Sequence, residues 1–333
     1  MNPTSPLFPT VLILGANGRL GCAAARAFDA ACWRVLAQVR RDSSPELPRR
    51  ALSLHGSLDG VDALVTEACG ASVVVHAINP AYTRWDAEAM PALRRGLDIA
   101  ERLGAHFMLP GNVYNFGASM PALLMETTPF SPDTRKGEIR VEMEALMQSR
   151  AAAGGFTASV VRAGDFFGGG RGNWFDLAIV KSLAAGKLVY PGPLDVTHAW
   201  AYLPDLARAF VQVASLPSPA TFDVWHFDGH TATGAQFLAA IEDAAADLGC
   251  APTGTWRRSG MPWSLMAAAG LVVPTWRELA RMSYLWRTPH ALDGGRLHAL
   301  PGRPPATPLA VALVQSLSDL GFIGTARPAL ASR

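Results

Sequence analysis

The sequence predicts a doubly wound α/β fold: a parallel sheet with helices on both faces, followed by a smaller, mostly helical C-terminal cap. Three observations lead to this prediction. Short, fully apolar runs alternate with helical stretches in the first half, as expected for strands covered on both faces of a parallel sheet. Half of the 333 residues are hydrophobic and 17% are charged, which suffices for a large core. The second half is less regular and rich in Pro, Gly and Trp.

Each element is predicted from its local residue pattern. Strands are predicted where short runs are apolar or β-branched, and helices where Ala, Leu and charged residues recur between turn residues. The predicted strands are residues 11–14, 35–39, 73–77, 106–109, 157–161 and 222–227. The predicted helices are residues 21–31, 58–69, 91–103, 137–152 and 204–214, with a separate helical cap from about residue 251.

The composition argues against several classes of protein. The formal net charge is +2, from 29 basic and 27 acidic residues, so no nucleic-acid partner is expected. The four cysteines contain no CxxC pair, so neither a metal site nor disulfides are expected. Cys22 and Cys69 are interpreted as small core residues. The first ten residues lack a signal-peptide pattern, and the apolar run 265–273 is too short to span a bilayer. We therefore expect a cytoplasmic protein with no membrane partner.

The strongest local signal is VLILGANGRLG at residues 11–21. Gly15, Gly18 and Gly21 follow an apolar strand and open a helix, the context in which such glycines bind a dinucleotide. One glycine makes the tight turn, one lets the backbone approach the pyrophosphate, and one lets helix and strand pack closely. The helix N-terminus offers free N–H groups to phosphate. The alternative is an ordinary strand–helix turn. The expected cofactor contacts in this loop are Gly15, Asn17, Gly18, Arg19, Leu20 and Gly21.

This loop implies a Rossmann-like dinucleotide-binding domain, placed at residues 8–180, and a substrate-binding region at 181–330, of which about 201–230 returns to the sheet. In such domains a carboxylate usually ends the second strand and holds the adenosine ribose. Here that strand ends in AQVRR at residues 37–41, without a carboxylate. Arg40 could bind a 2′-phosphate through two hydrogen bonds, which favours NADP(H) over NAD(H). The alternative is that Arg40 and Arg41 are solvated charges.

Further motifs follow in order along the chain. They are GSLDG at 56–60, VVVHAINP at 73–80, NVYNFG at 112–117, RAGDFFG at 162–168 and AYLPDLARAF at 201–210. Together with GANGRLG they resemble the extended short-chain dehydrogenase/reductases of the NAD-dependent epimerase/dehydratase type. The resemblance covers about residues 10–230, implies a nicotinamide cofactor and a small-molecule substrate, and permits a homodimer through paired helices. Further cofactor contacts are expected at Leu58, Asp59, Ala77, Asn79 and Ala163.

The catalytic positions depart from the pattern of that family. The family uses Ser or Thr with a YxxxK pair, and the corresponding positions here hold Pro110, Lys136 and Arg140. Glu144 stands where the family often has Glu, which supports this register. None of the five tyrosines has Lys four residues further on, so the usual Ser-Tyr-Lys set is absent.

Other polar residues are candidates to replace that set. Lys136 and Arg140 are four residues apart and hence on one helical face. The neighbouring guanidinium and partial burial are expected to lower the pKa of Lys136, so that it acts as a general acid beside the cofactor. Arg140 could hold the cofactor ribose or a substrate anion, and Tyr114 and Asn112 could polarise a carbonyl. The alternative is an exposed helix with surface pairs among Glu138, Arg140, Glu142 and Glu144.

Substrate contacts are expected between the last strands and the cap. Asp165 lines the cleft or caps a turn, and His198 stands where nucleotide-sugar enzymes of the family commonly carry Arg, which weakens the case for a nucleotide-sugar substrate. Trp200 is interpreted as core, and His76 as a hydrogen-bonded core histidine. The predicted substrate-binding residues are Asp165, Phe166, Trp174, Tyr190 and His198.

These observations favour an NADP(H)-dependent oxidoreductase that moves a hydride to or from a small, fairly apolar carbonyl or alcohol. Lys136 or Tyr114 would handle the proton. One alternative is an epimerase or dehydratase with tightly held NAD. The other is a non-catalytic NADP(H) sensor, which the absence of the Ser-Tyr-Lys set keeps open.

Overall fold

The computed structural model describes residues 8–217, 219–302 and 306–323. Its strands are β1 (Thr10–Leu14), β2 (Arg34–Val39), β3 (Leu52–His55), β4 (Val73–His76), β5 (His106–Gly111), β6 (Leu123–Leu124), β7 (Ala158–Arg162), β8 (Asp165–Phe167), β9 (Lys187–Tyr190), β10 (Thr197–Tyr202), β11 (Phe222–His226), β12 (His230–Thr233), β13 (Arg257–Gly260) and β14 (Ala291–Leu292).

Helices alternate with these strands. They are α1 (Arg19–Ala30), α2 (Val61–Glu67), α3 (Trp85–Leu103), α4 (Arg135–Ala152), α5 (Leu203–Ala214), α6 (Gly234–Asp247), α7 (Trp263–Ala269), α8 (Pro274–Arg281), α9 (Gly295–His298) and α10 (Leu309–Asp319). Short 3₁₀ turns at Tyr82–Arg84 and Met282–Trp286 flank the site described below.

Seven strands form one sheet in the order β3-β2-β1-β4-β5-β7-β11, and all neighbouring strands are parallel. The register pairs Leu12 with Leu36 on one side and with Val74 on the other. The chain order reverses between β1 and β4, so a crevice opens at their carboxyl ends, where open α/β sheets bind ligands. The predicted doubly wound, Rossmann-like fold is confirmed.

Alternate residues of β1 face opposite sides of the sheet, because successive strand side chains point to opposite faces. Leu12 and Leu14 join the core beneath α2, α3 and α4, whereas Val11 and Ile13 join the core beneath α1 and α5. A third core lies in the second half of the chain and includes Trp200. Both faces of the sheet are therefore covered, which explains why its central strands, such as β1 and β4, are largely apolar.

The second half of the chain contributes to both parts of the molecule. β10 pairs with β8 and β12 in a small mixed sheet, and the chain then passes through α5 into β11 at the edge of the main sheet. α6 packs against α10 in the third core. The short strands β9, β12 and β13 among the cap helices were not predicted. Residues 218, 303–305 and 324–330 of the predicted substrate-binding region lie outside the described residues.

Several predicted boundaries are shifted. The helix predicted at 91–103 begins at Trp85, because the helix-forming residues before Pro91 extend it in the N-terminal direction. The helix predicted at 58–69 spans only Val61–Glu67. β3 was not predicted, since it is a short and partly exposed edge strand. Within the described ranges, no helix is both long and apolar enough to cross a membrane.

The cysteines that the structure describes are free. Cys22 is buried, as predicted, but Cys69 is exposed. The core interpretation of Cys69 is therefore wrong, because this residue follows the last turn of α2 at the surface. No cluster of three or more potential metal ligands occurs among the described residues.

Candidate active site

The three loop glycines each meet a distinct steric requirement. Gly15 has φ +77°, and a Cβ there would lie 2.7 Å from Cγ1 of Ile78. At Gly21 a Cβ would lie 2.7 Å from the Cα of Ala16 and would collide with the Gly15 carbonyl oxygen. Gly18 is the N-cap of α1 and offers no side-chain acceptor. The loop thus makes a tight turn and close helix packing, and it leaves the N–H groups at the start of α1 open to an anion.

Arg19 follows the N-cap and lies partly buried. Its Nη1 atom is buried and has no hydrogen-bond partner within the described part of the chain. Burial lowers the pKa of Arg19, while the carboxylates of Asp176 and Asp165 oppose that shift. A buried, unpartnered guanidinium nitrogen at a helix N-terminus matches the donor set that a pyrophosphate requires.

Polar side chains fasten the glycine loop to its neighbours. Asn17 Nδ2 donates to the Asp42 carbonyl and Asn17 Oδ1 accepts from Ser44 N, each at 2.9 Å. The Gly15 amide donates to Gln38 Oε1 at 2.9 Å, and Gln38 Nε2 donates to the Gly56 carbonyl at 2.5 Å. The Asn17 side chain therefore supports the loop, and Gln38 is a supporting residue that the sequence analysis missed.

The other predicted cofactor residues lie on the loops after β2, β3, β4 and β7. β2 ends at Val39, and Arg40 follows, exposed, with no ion pair among the residues the structure describes. Asp59 forms an exposed ion pair with Arg95 at 2.7 Å. Three more predicted residues follow carboxyl ends of parallel strands or lie beside them: Ala77, Asn79 and Ala163. Leu58 is half-buried against the core beneath α2.

Lys136 lies in the first turn of α4, as the register predicts, and its side chain is 6% exposed. Its Nζ forms an ion pair with the carboxylate of Glu278 on α8 and lies 5.0 Å from the ring centroid of Tyr82. A carboxylate from the cap, which was not predicted, therefore neutralises the charge of Lys136. Glu278 lies 142 residues away in sequence, and no local pattern could have identified it.

Arg140 is buried beneath the crevice. Its Nη1 donates to the Pro110 carbonyl at 3.0 Å, and its guanidinium lies 4.9 Å from the Trp85 ring centroid. Nε is buried without a partner among the described residues. Burial lowers the pKa of Arg140, while Tyr114 and Glu144 oppose the shift. The surface-pair alternative is correct only for Glu138 and Glu142, which bind Arg135.

Two tyrosines meet at the edge of the crevice. Tyr114 follows β5, Tyr82 follows β4, and their hydroxyl oxygens are 2.5 Å apart. Burial raises the pKa of Tyr82 to about 12, and it raises the pKa of Tyr114 well above its ordinary value. Both phenols are therefore protonated at neutral pH. Asn112 Oδ1 accepts from the Tyr114 amide at 3.1 Å, so Asn112 shapes the loop that carries Tyr114.

Asp165 and His198 face the tyrosines from the small mixed sheet. His198 Nε2 lies 2.9 Å from Asp165 Oδ2, and the His198 ring stacks on Trp286 with centroids 4.3 Å apart. His198 is buried, whereas Asp165 is partly exposed. A small cavity with room for about one water molecule is lined by Asn112, Val113, Tyr114, Ala163, Gly164, Asp165, His198, Leu285 and His290.

The remaining predicted substrate residues lie apart from this cavity. Phe166 packs against the core of α1 and α5. Tyr190 is 1% exposed and packs 5.6 Å from Trp286, so it belongs to the third core. Trp174 contacts Trp263 and Trp286 edge-on behind His198. Alternation along β8 sends Phe166 away from Asp165.

Two residues interpreted as core are buried. Trp200 stacks on Phe237 with centroids 4.2 Å apart. His76 is buried against Phe107, but its Nδ1 has no hydrogen-bond partner among the described residues, so that part of its interpretation is wrong. Gly96 of α3 packs directly on the ring and leaves no space for a partner.

A buried ion pair fixes the loop of Tyr114. Arg162 Nη2 donates to both carboxylate oxygens of Glu144, at 2.9 and 2.7 Å. Arg162 Nη1 donates to the Asn112 carbonyl at 2.5 Å and to Asn115 Oδ1 at 3.1 Å. Asn115 Nδ2 in turn donates to Glu144 Oε1. This network connects α4 and β7 to the loop after β5.

The fold and crevice define a dinucleotide-binding α/β protein. The profile of the NAD dependent epimerase/dehydratase family matches residues 11–224, and the chain belongs to that family. No curated protein matches the chain in sequence.

Solved structures share the fold at low identity. UDP-glucose 4-epimerase of Thermotoga maritima, solved with UDP-glucose, is 13% identical, with a TM-score of 0.72 over 94% of this chain and 98% of that chain. UDP-glucuronic acid 4-epimerase of Bacillus cereus, solved with UDP-glucuronic acid and NAD, is 14% identical, with a TM-score of 0.72 over 94% and 99%. dTDP-glucose 4,6-dehydratase of Streptomyces venezuelae, with NAD and TYD bound, is 16% identical, with a TM-score of 0.71 over 94% and 97%.

Proposed function

We propose that the protein is an NADP(H)-dependent oxidoreductase that acts on a small, fairly apolar carbonyl or alcohol. The cofactor would lie across the carboxyl ends of β1 and β4, with its pyrophosphate at the glycine loop and Arg19. Arg40, exposed and without an ion pair in the described ranges, supports a 2′-phosphate at the end of β2. When bound, the nicotinamide supplies or accepts a hydride at its C4 atom.

The Tyr82–Tyr114 pair is the observation that carries this proposal. α4 provides no phenol, but Tyr82 and Tyr114 bring two phenols to the edge of the crevice. They meet there because the loops after β4 and β5 begin at the same edge of the sheet. The adjoining cavity, with room for about one water molecule, marks where the substrate oxygen would lie beside Tyr114, and it must widen to admit the rest of a substrate. Its lining combines apolar side chains with a few polar groups.

The raised pKa of each phenol makes it a hydrogen-bond donor and not a base at neutral pH. Tyr114 would donate to the substrate oxygen and pass a proton to the alkoxide that forms during reduction, while Tyr82 would replace that proton. Arg140 favours the phenolate left behind, since its positive charge opposes the upward shift of both pKa values. Lys136, paired with Glu278, adds a second positive charge beside Tyr82.

A second candidate is an epimerase or dehydratase with tightly held NAD. Family membership favours it, and so does the Asp165–His198 pair, because proton removal from a substrate requires a base at this edge. Cofactor that copurifies with the protein, seen by absorbance after denaturation, would support this candidate over an exchanging reductase. A cytoplasmic location and a homodimer stay predictions.

The decisive experiment offers NADPH deuterated at C4, one face at a time, with a panel of small aldehydes and ketones. We expect deuterium in the alcohol product from one face only, detected by mass spectrometry. Absence of label transfer from either face, with NADPH binding intact in calorimetry, would refute the proposed reaction.

Two variants separate the catalytic candidates from a non-catalytic sensor. Tyr114→Phe removes the proposed donor with little change in volume, and we expect turnover to fall by about 10²–10⁴-fold with unchanged NADPH affinity. Lys136→Ala should also lower turnover. Tyr284→Phe is the matched control, since Tyr284 is a buried tyrosine that does not line the cavity. A sensor would show no turnover in any of these proteins and equal NADPH affinity in all.

A further inference from the structure

One segment of the cap is unusual in composition. Residues 259–276 contain no Asp, Glu, Lys, Arg or His. They include α7, the connection at residues 270–273 and the first turn of α8, which packs against α7 as a helical hairpin. The apolar run within this segment is too short to span a bilayer, and the reaction proposed above does not use it.

Several apolar side chains of this hairpin are exposed. Leu271 is 85% exposed, Val272 is 82% exposed and Leu265 is 65% exposed. We define the apolar tip as Leu265, Leu271, Val272, Val273 and Trp276. Single exposed apolar residues are ordinary, but several on one protruding element mark an interaction surface.

Positive charge is in excess beside the apolar tip. Glu278 is the single acidic residue between 257 and 287, a stretch that contains five arginines. Its carboxylate forms ion pairs with Lys136, with Arg281 at 2.9 Å and with Arg277 at 3.8 Å. The side chains of Arg277 and Arg281 are 50% and 61% exposed. One carboxylate therefore leaves two positive charges uncompensated at the base of the tip.

We propose that the α7–α8 hairpin docks on the surface of an anionic lipid bilayer, a partner that the sequence alone did not lead us to expect. Leu271 and Val272 would enter the boundary between headgroups and acyl chains, Trp276 would lie at that boundary, and the two arginines would bind lipid phosphates. An apolar tip with Leu271 85% and Val272 82% exposed, beside two exposed arginines, combines the apolar and basic groups that an anionic bilayer surface binds. The proposal does not depend on the proposed reaction.

A second copy of the chain is the competing occupant. A cavity of about 570 Å³ lies between α1 and α5 and could receive an apolar tip. Such a contact would join unlike surfaces and extend from copy to copy, because the tip and the cavity lie on different elements. It would appear as self-association that grows with protein concentration in the absence of lipid.

The test is sedimentation of the full chain with extruded vesicles, followed without coenzyme or substrate. We expect binding to phosphatidylcholine mixed with phosphatidylserine, weaker binding to phosphatidylcholine alone, and loss of the difference at high salt. L271S/V272S should lower the partition coefficient on mixed vesicles by about tenfold or more. R277Q/R281Q should abolish the preference for the anionic lipid.

The control L177S/V311S removes two exposed apolar side chains from other elements, with Leu177 62% and Val311 56% exposed. It should bind vesicles as the wild type does. The proposal fails if the wild type binds neither vesicle, or if L271S/V272S binds as tightly as the control. Concentration-dependent association without lipid, abolished by L271S/V272S, would instead identify a second copy as the occupant.

Discussion

Replacing Glu144 by Gln tests the network that holds the loop of Tyr114. The side chains of Arg162 and Glu144 are 1% and 4% exposed, and the guanidinium donates to both carboxylate oxygens. Phe116 and Phe130 lie 5.1 and 5.4 Å from the guanidinium and cannot replace the lost counter-charge. The amide of Gln keeps the shape of the side chain but leaves Arg162 buried without a full negative partner.

The expected loss of unfolding free energy is about 3–5 kcal/mol, the cost of leaving one charge of a buried pair uncompensated. The free energy of unfolding of an ordinary domain is about 5–15 kcal/mol, so Glu144→Gln should remove a large share of that stability. Glu142→Gln is the matched control, because it breaks an ion pair on the same helix whose side chains are about half exposed. An exposed pair contributes about 0–1 kcal/mol.

Urea denaturation followed by circular dichroism measures both changes. The double variant Glu144→Met/Arg162→Met should be less destabilised than Glu144→Gln, since it removes the uncompensated charge together with its partner. The reasoning is refuted if Glu144→Gln and Glu142→Gln lose the same free energy, or if the double variant is the least stable protein of the set.

The remaining predictions concern the crevice and the buried histidines. Gly21→Ala should abolish coenzyme binding in calorimetry, because its Cβ would lie 2.7 Å from the Cα of Ala16. The control Gly60→Ala should bind coenzyme normally, because its Cβ would meet only Ser57 O at 3.6 Å. Equal coenzyme affinities of the two variants would contradict the steric argument. Arg40→Gln should weaken NADPH about tenfold or more and leave NADH unchanged, whereas parallel losses would argue against a 2′-phosphate contact. Burial lowers the pKa of His106 to about 4, so the unfolded state binds its proton first as pH falls below about 6.5, and stability declines. His106→Gln should make the decline between pH 6 and 4.5 shallower by about 1.4 kcal/mol per pH unit in urea titrations, and an unchanged slope would contradict this assignment.

The main features of the fold follow from local pattern. A strand such as β4 is covered on both faces and is therefore buried along its whole length. Such a strand belongs to a parallel sheet, in which helices connect one strand to the next along the chain. The glycine pattern is equally local as a signal. The steric requirement at Gly21 also comes from nearby backbone, at Gly15 and Ala16, whereas Gly15 is restricted by Ile78 after β4. The position of Lys136 came from the family resemblance instead: the residue pattern predicted the helix at 137–152, whereas α4 begins at Arg135 and so includes Lys136 in its first turn.

The partners of the polar residues were not predictable in the same way. Glu278 reaches Lys136 across 142 residues, and Tyr82 reaches Tyr114 from the loop after another strand. Such pairs depend on how the cap packs on the sheet, which no periodicity encodes. Tyr190 was assigned to the substrate site as part of an aromatic wall and Phe166 through the RAGDFFG motif, but Tyr190 lies in the third core and Phe166 packs, partly buried, against the core of α1 and α5.

Lys136 changes the source of the proton donors in the site, although phenol groups are still present. With Lys at this position, α4 contributes a cation instead of a phenol, and Glu278 draws that cation toward the cap. The phenols come instead from Tyr82 and Tyr114 on the strand loops, where burial keeps them protonated. Because Glu278 belongs to the same hairpin as the apolar tip, any displacement of that hairpin also alters the charge balance around Lys136 and Tyr82. If the hairpin docks and Tyr114 donates a proton as proposed, both events would depend on one carboxylate, that of Glu278.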